Sequence, residues 1–394
     1  MQLISTGDGS DKKTVIPVGI LYSVSGNYGV IGREMLNGIM LAIEEINADS
    51  AYGFTLAPIV YDPGGSLDKY HEYCHDLLYR HGVKHIIGCY TSASRKQILP
   101  LIEGANALLW HSPRYEGFES SSNVVYLGAA PNQHVLPMIR YLLARQPQPQ
   151  IYHIGSNYVW SWEIDRITRE SIEPAGGRVI ASQLLPLGAG DVAVIVADII
   201  AKRPTVVLAT LVGASAYHFY QAWQQAAALH PFLRTPGLLK LSLTLCEPEV
   251  KMIGAAALEG YLVSAAWFQS IDSEANRQFL SRYAARFGEA SSPSVDAQTA
   301  WLAGQFLARS LMQAGCDDVA AVRGALWQQE IDGPAGKVRI DAENNHAWLT
   351  PHLARCENGV LQVFWQGDGP VQPDPWLTWV ELEQVHIGEV TGAP

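Results

Sequence analysis

Segments with the pattern of β-strands alternate with segments with the pattern of α-helices, and this alternation constrains the fold more than any other feature. Residues 14–22 form a β-branched apolar run typical of a buried strand, and residues 33–47 repeat apolar side chains at helical spacing. Such alternation favours a mostly parallel sheet with helices on both faces. Roughly ten such units are too many for one open sheet, so we predict an α/β fold with two doubly wound lobes. The break is expected near 128–132, where Gly128 and Pro131 interrupt the pattern.

The composition argues against several classes of protein. The 394 residues are 48% hydrophobic and 16% charged, which is unlike a disordered chain. The 27 basic and 38 acidic residues give a formal net charge of −11, and the basic residues form no long run. We therefore expect no direct nucleic-acid contact and no anionic membrane surface as a partner. No apolar window reaches the roughly 18 residues of a membrane-spanning helix, so we expect no membrane insertion.

The N-terminal segment and the cysteines predict a compartment. The apolar run 15–21 follows charged residues and leads directly into a strand pattern, so we expect no signal peptide. The five cysteines are odd in number and widely spread, and no CxxC pair occurs. Neither a zinc ribbon nor a disulfide scaffold is therefore indicated. We expect a cytoplasmic protein with ordinary buried thiols.

A glycine-rich segment resembles a dinucleotide-binding loop but departs from its spacing. Residues 26–32 follow a strand and have the spacing G-x-x-G-x-x-G, whereas the dinucleotide fingerprint is G-x-G-x-x-G. Asp62, at the end of the next strand, lies about ten residues beyond the position of a ribose-binding acid. The favoured interpretation is a flexible loop that faces a ligand, with a dehydrogenase as the alternative.

A second segment, residues 71–75, matches the H-E-x-x-H pattern of zinc hydrolases. On a helix, Tyr70, Cys74 and Leu77 would form the buried stripe, and His71 and His75 would lie beside it, toward solvent. No third metal ligand stands in a comparable local motif. We therefore expect a protein that is not an enzyme and has no metal and no cofactor, with a metallohydrolase as the alternative.

The loops that follow the predicted strands carry rings and hydroxyl groups. In open α/β sheets, ligands bind outside the carboxyl ends of the strands, and the strand ends of two lobes would converge on one cleft. Rings with a few hydroxyls suit a small, largely neutral ligand, whereas a phosphate or dicarboxylate would require several cations. Only Arg114, with Arg95 as a second possibility, offers a cation there. The strand-end residues that carry this inference are Tyr90, Ser92, Tyr158, Trp160, Thr244 and Trp267.

Several short strings, in order over residues 15–380, resemble the amide receptors that negatively regulate aliphatic amidase operons and their relatives among urea and short-chain amide binding proteins. The resemblance implies the type I periplasmic-binding-protein architecture, with two Rossmann-like lobes joined by crossover strands. The strings are Asp62-Pro63-Gly64-Gly65, Gly88-Cys89-Tyr90-Thr91-Ser92, Tyr115-Glu116-Gly117-Phe118-Glu119, Ala130-Pro131-Asn132-Gln133, Gly155-Ser156-Asn157-Tyr158, Asn344-Asn345-His346 and Pro373-Asp374-Pro375.

The resemblance also implies the lobes and the ligand-binding residues. The first lobe would comprise 14–130 and 265–335, the second 131–262 and 340–380, with tails at 1–13 and 381–394. The family has Tyr-Pro-Thr-Pro where this chain has residues 111–114. A ligand amide with an aromatic or acidic group is therefore as compatible as acetamide. The implied ligand-binding residues are Tyr90, Ser92, His111, Pro113, Arg114, Tyr158, Trp160, Val212, Thr244 and Trp267.

By the same resemblance, the chain would be a non-catalytic cytoplasmic sensor that closes over a small neutral amide-like ligand. Its expected partner is an RNA-binding antiterminator-type regulator, which the ligand would release, and a homo-oligomer is expected. Ligand would act by binding the closed form better than the open form. The alternative is a periplasmic substrate-binding protein of an ABC importer for urea, short-chain amides or amino acids.

Overall fold

The structure is a computed structural model that describes residues 13–378. The predicted tails, 1–13 and 381–394, lie outside these residues apart from Lys13. The strands are β1 Thr14–Leu21, β2 Phe54–Tyr61, β3 His85–Gly88, β4 Leu108–His111, β5 Val124–Tyr126, β6 Gln150–Ser156, β7 Arg178–Leu185, β8 Val206–Thr210, β9 Leu239–Ser242, β10 Leu262–Ala265, β11 Glu330–Gly333, β12 Gly336–Ile340, β13 Ala347–Trp348, β14 His352–Glu357 and β15 Val360–Gln366.

The helices alternate with the strands over most of the chain. The α-helices are α1 Gly29–Ala48, α2 Leu67–His75, α3 Ser92–Gly104, α4 Pro131–Arg145, α5 Val159–Ile172, α6 Ala193–Lys202, α7 Ala214–Leu229, α8 Glu247–Ile253, α9 Ala255–Leu258, α10 Glu274–Phe287, α11 Val295–Ala314 and α12 Val319–Leu326. A π-helical segment, Asp76–Arg80, continues α2, and short 3₁₀ segments lie at Glu173–Ala175 and Pro231–Arg234. None of the described helices combines the length and the apolarity that a membrane crossing requires.

The described chain divides into two compact units. Unit 1 comprises residues 13–114, 119–129 and 273–349, and unit 2 comprises 115–118, 130–272 and 350–378. Each unit has its own sheet and its own core, and the sheets of both units consist mainly of parallel strands. This confirms the predicted α/β class with two lobes.

Unit 1 has a parallel sheet of five strands in the order β2-β1-β3-β4-β5. Val18 and Ile20 of β1 and Ile86 and Ile87 of β3 are fully buried, as parallel strands covered on both faces require. Helices α1 and α11 pack closely at Gly38, which has no side chain. A Cβ at this position would lie 2.1 Å from the backbone oxygen of Ala297, so only glycine allows this approach. A small antiparallel sheet, β11-β12-β13, completes this unit.

Unit 2 has a seven-stranded sheet in the order β15-β14-β10-β9-β8-β6-β7. Strands β6 to β10 are parallel, and β14 and β15 are added in antiparallel fashion at one edge. Its core includes side chains from α4 and α5 that pack on the sheet, among them Leu142, Ile164 and Ile167. The parallel strands therefore end on the same edge of this sheet, as they do in unit 1.

The last third of the chain departs from the predicted elements. The apolar pattern of residues 348–356 predicts one strand, but the structure has β13 in unit 1 and β14 in unit 2, with Pro351 between them. Proline lacks the N–H that a continuous ladder needs, so it marks the point where the chain passes from one unit to the other. Earlier in the chain, the apolar spacing of residues 67–80 predicts one helix, and the structure has α2 followed by the π-helical segment there.

Candidate functional site

A strained turn connects β3 to α3 in unit 1. Cys89 has φ +65°, which is uncommon for a residue with a side chain, and its N–H donates to the Leu21 carbonyl at 3.0 Å. Thr91 then caps α3, since its hydroxyl accepts from the Ser94 N–H at 3.2 Å. Such strain persists only where the surroundings hold it, and it clusters at functional sites. The turn places Tyr90 and Ser92 at the carboxyl end of the sheet.

Tyr90 lies beside a second tyrosine. Its half-buried ring is 5.2 Å from the ring of Tyr28, measured between centroids, and Tyr28 directly precedes α1. Two neighbouring rings next to a hydroxyl offer an apolar wall with a polar group, which suits a small planar molecule.

The glycine-rich loop is fixed by the end of β2. The Asp62 carboxylate accepts from the N–H of Val24 at 3.0 Å and from the N–H of Gly64 at 2.9 Å. Gly26 has φ +79°, and a Cβ on it would lie 2.5 Å from the Gly64 carbonyl oxygen. Asp62 therefore holds this loop in place. These hydrogen bonds explain the acid at this position without a ribose-binding role.

Behind Ser92, a fully buried arginine donates hydrogen bonds to three polar side chains of unit 1. Arg95 Nη1 donates to Ser92 Oγ at 3.3 Å and to His111 Nε2 at 2.9 Å. Arg95 Nε and Nη2 donate to the Glu119 carboxylate at 2.6 and 3.4 Å. Tyr126 donates to the same carboxylate at 2.9 Å. The predicted site residues Ser92 and His111 are thus joined through Arg95.

The ionisation of this network follows from burial and from its charges. Burial raises the pKa of Glu119, but Arg95 and Lys96 outweigh that effect and lower it to about 2. Burial, and then the positive charge of Arg95, hold the pKa of His111 well below its usual range. At neutral pH, Arg95 and Glu119 therefore form an ion pair beside a neutral imidazole.

Pro113 and Arg114 lie in the strand-end segment after β4. Gly128 packs against Pro113 so closely that a Cβ on it would lie 2.0 Å from the Pro113 carbonyl carbon. Arg114 Nη2 is 3.8 Å from the buried Asp296 carboxylate, whose pKa is raised by burial against the opposing effect of Arg114. The guanidinium that the sequence analysis singled out therefore has a buried carboxylate as a neighbour.

Unit 2 brings hydroxyls and rings to its strand ends. The Val212 N–H donates to Ser156 Oγ at 3.0 Å, and Thr244 Oγ1 donates to the Leu211 carbonyl at 2.8 Å. Tyr158 is half-buried at the start of α5, whereas Trp267 after β10 is fully buried.

Trp160 belongs to the apolar core of unit 2. It is 4% exposed and stacks on His134, with 5.5 Å between ring centroids and an interplanar angle of 6°. His134 Nδ1 donates in turn to the Ala130 carbonyl at 2.9 Å. These contacts show that Trp160 packs in the core of unit 2.

A series of hydrogen bonds connects a histidine, a carboxylate and two hydroxyl groups close to these strand ends. His153 Nδ1 is 3.0 Å from Asp165, and its Nε2 is 2.8 Å from Thr210 Oγ1, which donates to Ser161 Oγ at 3.0 Å. Burial raises the pKa of Asp165, but hydrogen bonds from His153 and Arg169 outweigh it and lower it to about 2. His153, Thr210 and Ser161 are fully buried, and these hydrogen bonds connect β6, β8 and α5.

The H-E-x-x-H segment lies on α2 as the periodicity indicates. Tyr70 and Cys74 are buried, and His71 and His75 are exposed. Among residues 13–378, no three His, Cys, Asp or Glu side chains come together as a metal site would require. The structure thus offers no third ligand for these imidazoles within the part of the chain that it describes.

Sequence reasoning missed Glu119 and Tyr126, which belong to the Arg95 network, and Asp296, which lies beside Arg114. None of the three directly follows a strand of the unit 1 sheet. The contact between Ser92 and Arg95 could have been predicted, because the two residues are three positions apart and therefore lie on one face of α3.

The fold is similar to that of several solved solute-binding proteins. One from an ABC transporter of Rhodopseudomonas palustris, in complex with p-hydroxybenzoic acid, has a TM-score of 0.83 and 18% identity and covers 93% of this chain and 99% of that chain. A second from R. palustris, in complex with benzoate, has a TM-score of 0.80 and 18% identity over 91% and 98%. A leucine-binding protein from Thermotoga maritima has a TM-score of 0.77 and 17% identity over 89% and 98%.

A similarity to a curated enzyme covers a much smaller part of the chain. The limonene hydroxylase of Geobacillus stearothermophilus is 20% identical over 139 residues, which is 35% of this chain and only 25% of that protein. The matching family and the solved relatives in the preceding paragraph are binding proteins. The model of the periplasmic binding protein domain family matches residues 16–382, nearly the whole chain, and this protein belongs to that family.

Proposed function

We propose that this protein is a solute-binding protein of the kind that serves ABC importers, and that it binds a small, planar, neutral organic molecule. Support comes from its family and from the solved structures of similar fold, which are named as solute-binding proteins of ABC transporters. In this proposal the ligand lies at the carboxyl end of the unit 1 sheet, against Tyr90 and Ser92.

The proposal that the ligand is neutral rests on the carboxylates that lie beside the arginines at this end of unit 1. Arg95 is bound to Glu119, and Arg114 has Asp296 as its neighbour. A ligand carboxylate would have to compete with the Glu119 carboxylate for the Arg95 guanidinium, and it would meet the buried Asp296 carboxyl group beside Arg114. An amide carries the same planar shape without the charge. We therefore place amides ahead of the aromatic carboxylates that the R. palustris proteins are named as binding.

Ser92 is the residue of this strand end that we propose to contact a carbonyl oxygen of the ligand. Its Oγ accepts a hydrogen bond from Arg95 Nη1 at 3.3 Å, which fixes the hydroxyl beside the buried guanidinium. In this proposal the rings of Tyr28 and Tyr90 provide the apolar wall. Benzamide combines these features and is the probe of choice.

The second candidate function is a cytoplasmic sensor with an antiterminator partner. It rests on the sequence resemblance to amide receptors, which spans residues 15–380. It shares the amide-like ligand but differs in compartment and partner. Locating the protein in cell fractions separates the two: a periplasmic location supports the importer function, and a cytoplasmic one the sensor function with its predicted oligomer and partner.

The experiment is a thermal-shift and calorimetric titration of the purified protein with benzamide, benzoate, acetamide, urea and leucine. A ligand at about 100 times its dissociation constant adds about 2.7 kcal/mol to the free energy of unfolding. We expect benzamide to bind more tightly than benzoate, which has the same shape and a negative charge. Tighter binding of benzoate or leucine would reject the neutral ligand and keep the solute-binding function. No binding by any of the five would reject the proposed ligand class, while the solute-binding function would still be supported by the family.

A further inference from the structure

We propose that Glu119 determines the charge preference of the binding site, although it acts through Arg95 and not by touching the ligand. The inference rests on the proposed function, because it concerns the choice between a neutral and an anionic ligand at the strand ends of unit 1. Glu119 is thus a positioning and specificity-determining residue.

The first step of the argument is the geometry of Arg95. Its guanidinium is fully buried and makes contacts with Ser92, His111 and Glu119 at once. An arginine cannot lose its proton inside a protein, so its charge is permanent. Whether this part of the site is neutral or positive is therefore decided by its partner carboxylate.

The second step is the state of His111. Arg95 Nη1 can only donate, so His111 Nε2 must accept, and the imidazole proton sits on Nδ1, which faces the Gly88 carbonyl at 3.4 Å. The imidazole held in this way is neutral, as the low pKa of His111 also indicates. His111 therefore supplies no cation that could replace or supplement Arg95.

The third step is the position of Glu119 itself. Its side chain is 9% exposed, and Arg95, Lys96 and Tyr126 all donate to it. Lys96 is 41% exposed, so water screens its charge, whereas the buried Arg95 has no such screening. If Glu119 loses its charge, the site gains one buried positive charge next to Ser92, and a carboxylate ligand becomes the natural partner.

The test measures the ratio of the affinities for benzamide and benzoate in four variants by calorimetry. Glu119→Gln keeps the shape but removes the charge, and we expect the ratio to move toward benzoate by about tenfold or more. Arg95→Gln removes the opposite charge, and the ratio should move the other way. The double variant Arg95→Gln/Glu119→Gln should return to a ratio near that of the wild type.

Glu103→Gln is the matched control, because Glu103 is an exposed carboxylate on α3, the helix that carries Arg95. It accepts a hydrogen bond from Ser121 at 2.7 Å. Its ratio should equal the wild-type ratio. A merely structural role for Glu119 would lower both affinities together and leave the ratio unchanged, which would overturn the inference. If Glu119→Gln alone fails to fold, the double variant compared with Arg95→Gln decides, because these two proteins differ only at Glu119 and their ratios should differ. If the wild type binds neither benzamide nor benzoate, the proposed ligand class is rejected, and this inference is rejected because it rests on that ligand class. A change of ratio is then not measured, so this result is distinct from an unchanged ratio in Glu119→Gln.

Discussion

The two units bury different chemistry at the carboxyl ends of their parallel strands. Unit 1 places two guanidinium–carboxylate pairs there, Arg95 with Glu119 and Arg114 with Asp296. In unit 2 the corresponding segments hold hydroxyls that bond to backbone groups, such as Ser156 with the Val212 N–H. They also hold two buried carboxylates, Glu247 and Glu249, of which Glu247 accepts from the Gln269 N–H. Buried carboxylates therefore occur in both units, and the difference is that those of unit 1 lie beside guanidinium groups.

The largest expected effect comes from breaking the charge pair of unit 1. Arg95→Met leaves the Glu119 carboxylate buried without its main partner and removes the donors to Ser92 and His111. We expect a loss of about 3–5 kcal/mol in the free energy of unfolding, the usual result of removing one partner of a buried ion pair. Urea unfolding at neutral pH measures it.

The counterpart in unit 2 sharpens the comparison. Asp165→Asn removes a carboxylate that is 18% exposed and leaves His153 with its contacts to Ser182 and Thr210. The expected loss is about 1–2 kcal/mol, closer to that of a hydrogen bond than of a buried charge. Equal losses in the two variants would show that the fully buried Arg95–Glu119 pair and the partly exposed Asp165 carboxylate contribute alike, contrary to this expectation.

Acid should destabilise the protein through Glu119. Its pKa is lowered from its ordinary value of 4.5 to about 2, so the unfolded chain takes up the proton first. The stabilisation is complete above about pH 4.5 and is lost as the pH falls toward 2. It corresponds to about 3 kcal/mol, since one unit of pKa is equivalent to about 1.4 kcal/mol.

The measurement is the free energy of unfolding of the wild type and of Glu119→Gln between pH 6 and pH 3. The difference between them should shrink as the pH falls, because the variant has no carboxylate to protonate. The pKa of Asp165 is also about 2, from an ordinary value of 3.8, so its contribution is smaller and begins at lower pH. A constant difference between wild type and Glu119→Gln would show that the Glu119 carboxylate keeps its ordinary pKa.

The fold was predictable wherever one periodicity dominates a segment. The buried strand β1 and the long helix α11 follow from their apolar patterns, and the alternation of elements gives the α/β class. The 348–356 segment was predicted wrongly as one strand, because its apolar residues serve two different sheets on either side of Pro351. Local patterns do not record which sheet a strand joins.

The candidate site was predictable only for residues that follow strands. The strand-end rule picks out Tyr90, Ser92 and His111, and the structure joins Ser92 and His111 through Arg95. It does not find Glu119, which stands 24 residues from Arg95 in a segment without regular structure. Ion pairs between distant segments leave no periodic signal, so the charge balance of the site becomes visible only in the folded chain.

The smallest expected effects compare single hydroxyls of the two units. Ser92→Ala removes the hydroxyl that we expect to donate to the ligand carbonyl, and should weaken benzamide binding by about 1–3 kcal/mol. Thr244→Val should weaken it less, because the Thr244 hydroxyl already donates to the Leu211 carbonyl at 2.8 Å and cannot donate to the ligand at the same time. Calorimetry with benzamide measures both.

Ser310→Ala is the control for these two variants, since Ser310 is a fully buried serine of α11, away from the strand ends. Its affinity for benzamide should equal that of the wild type. An unchanged affinity in Ser92→Ala would show that the ligand does not rest on α3. A larger loss in Thr244→Val than in Ser92→Ala would reverse the comparison, because unit 2 would then supply the stronger hydrogen bond. Since a hydroxyl that already donates cannot be the stronger donor, that result would also require Thr244 to give up its bond to Leu211 when the ligand binds.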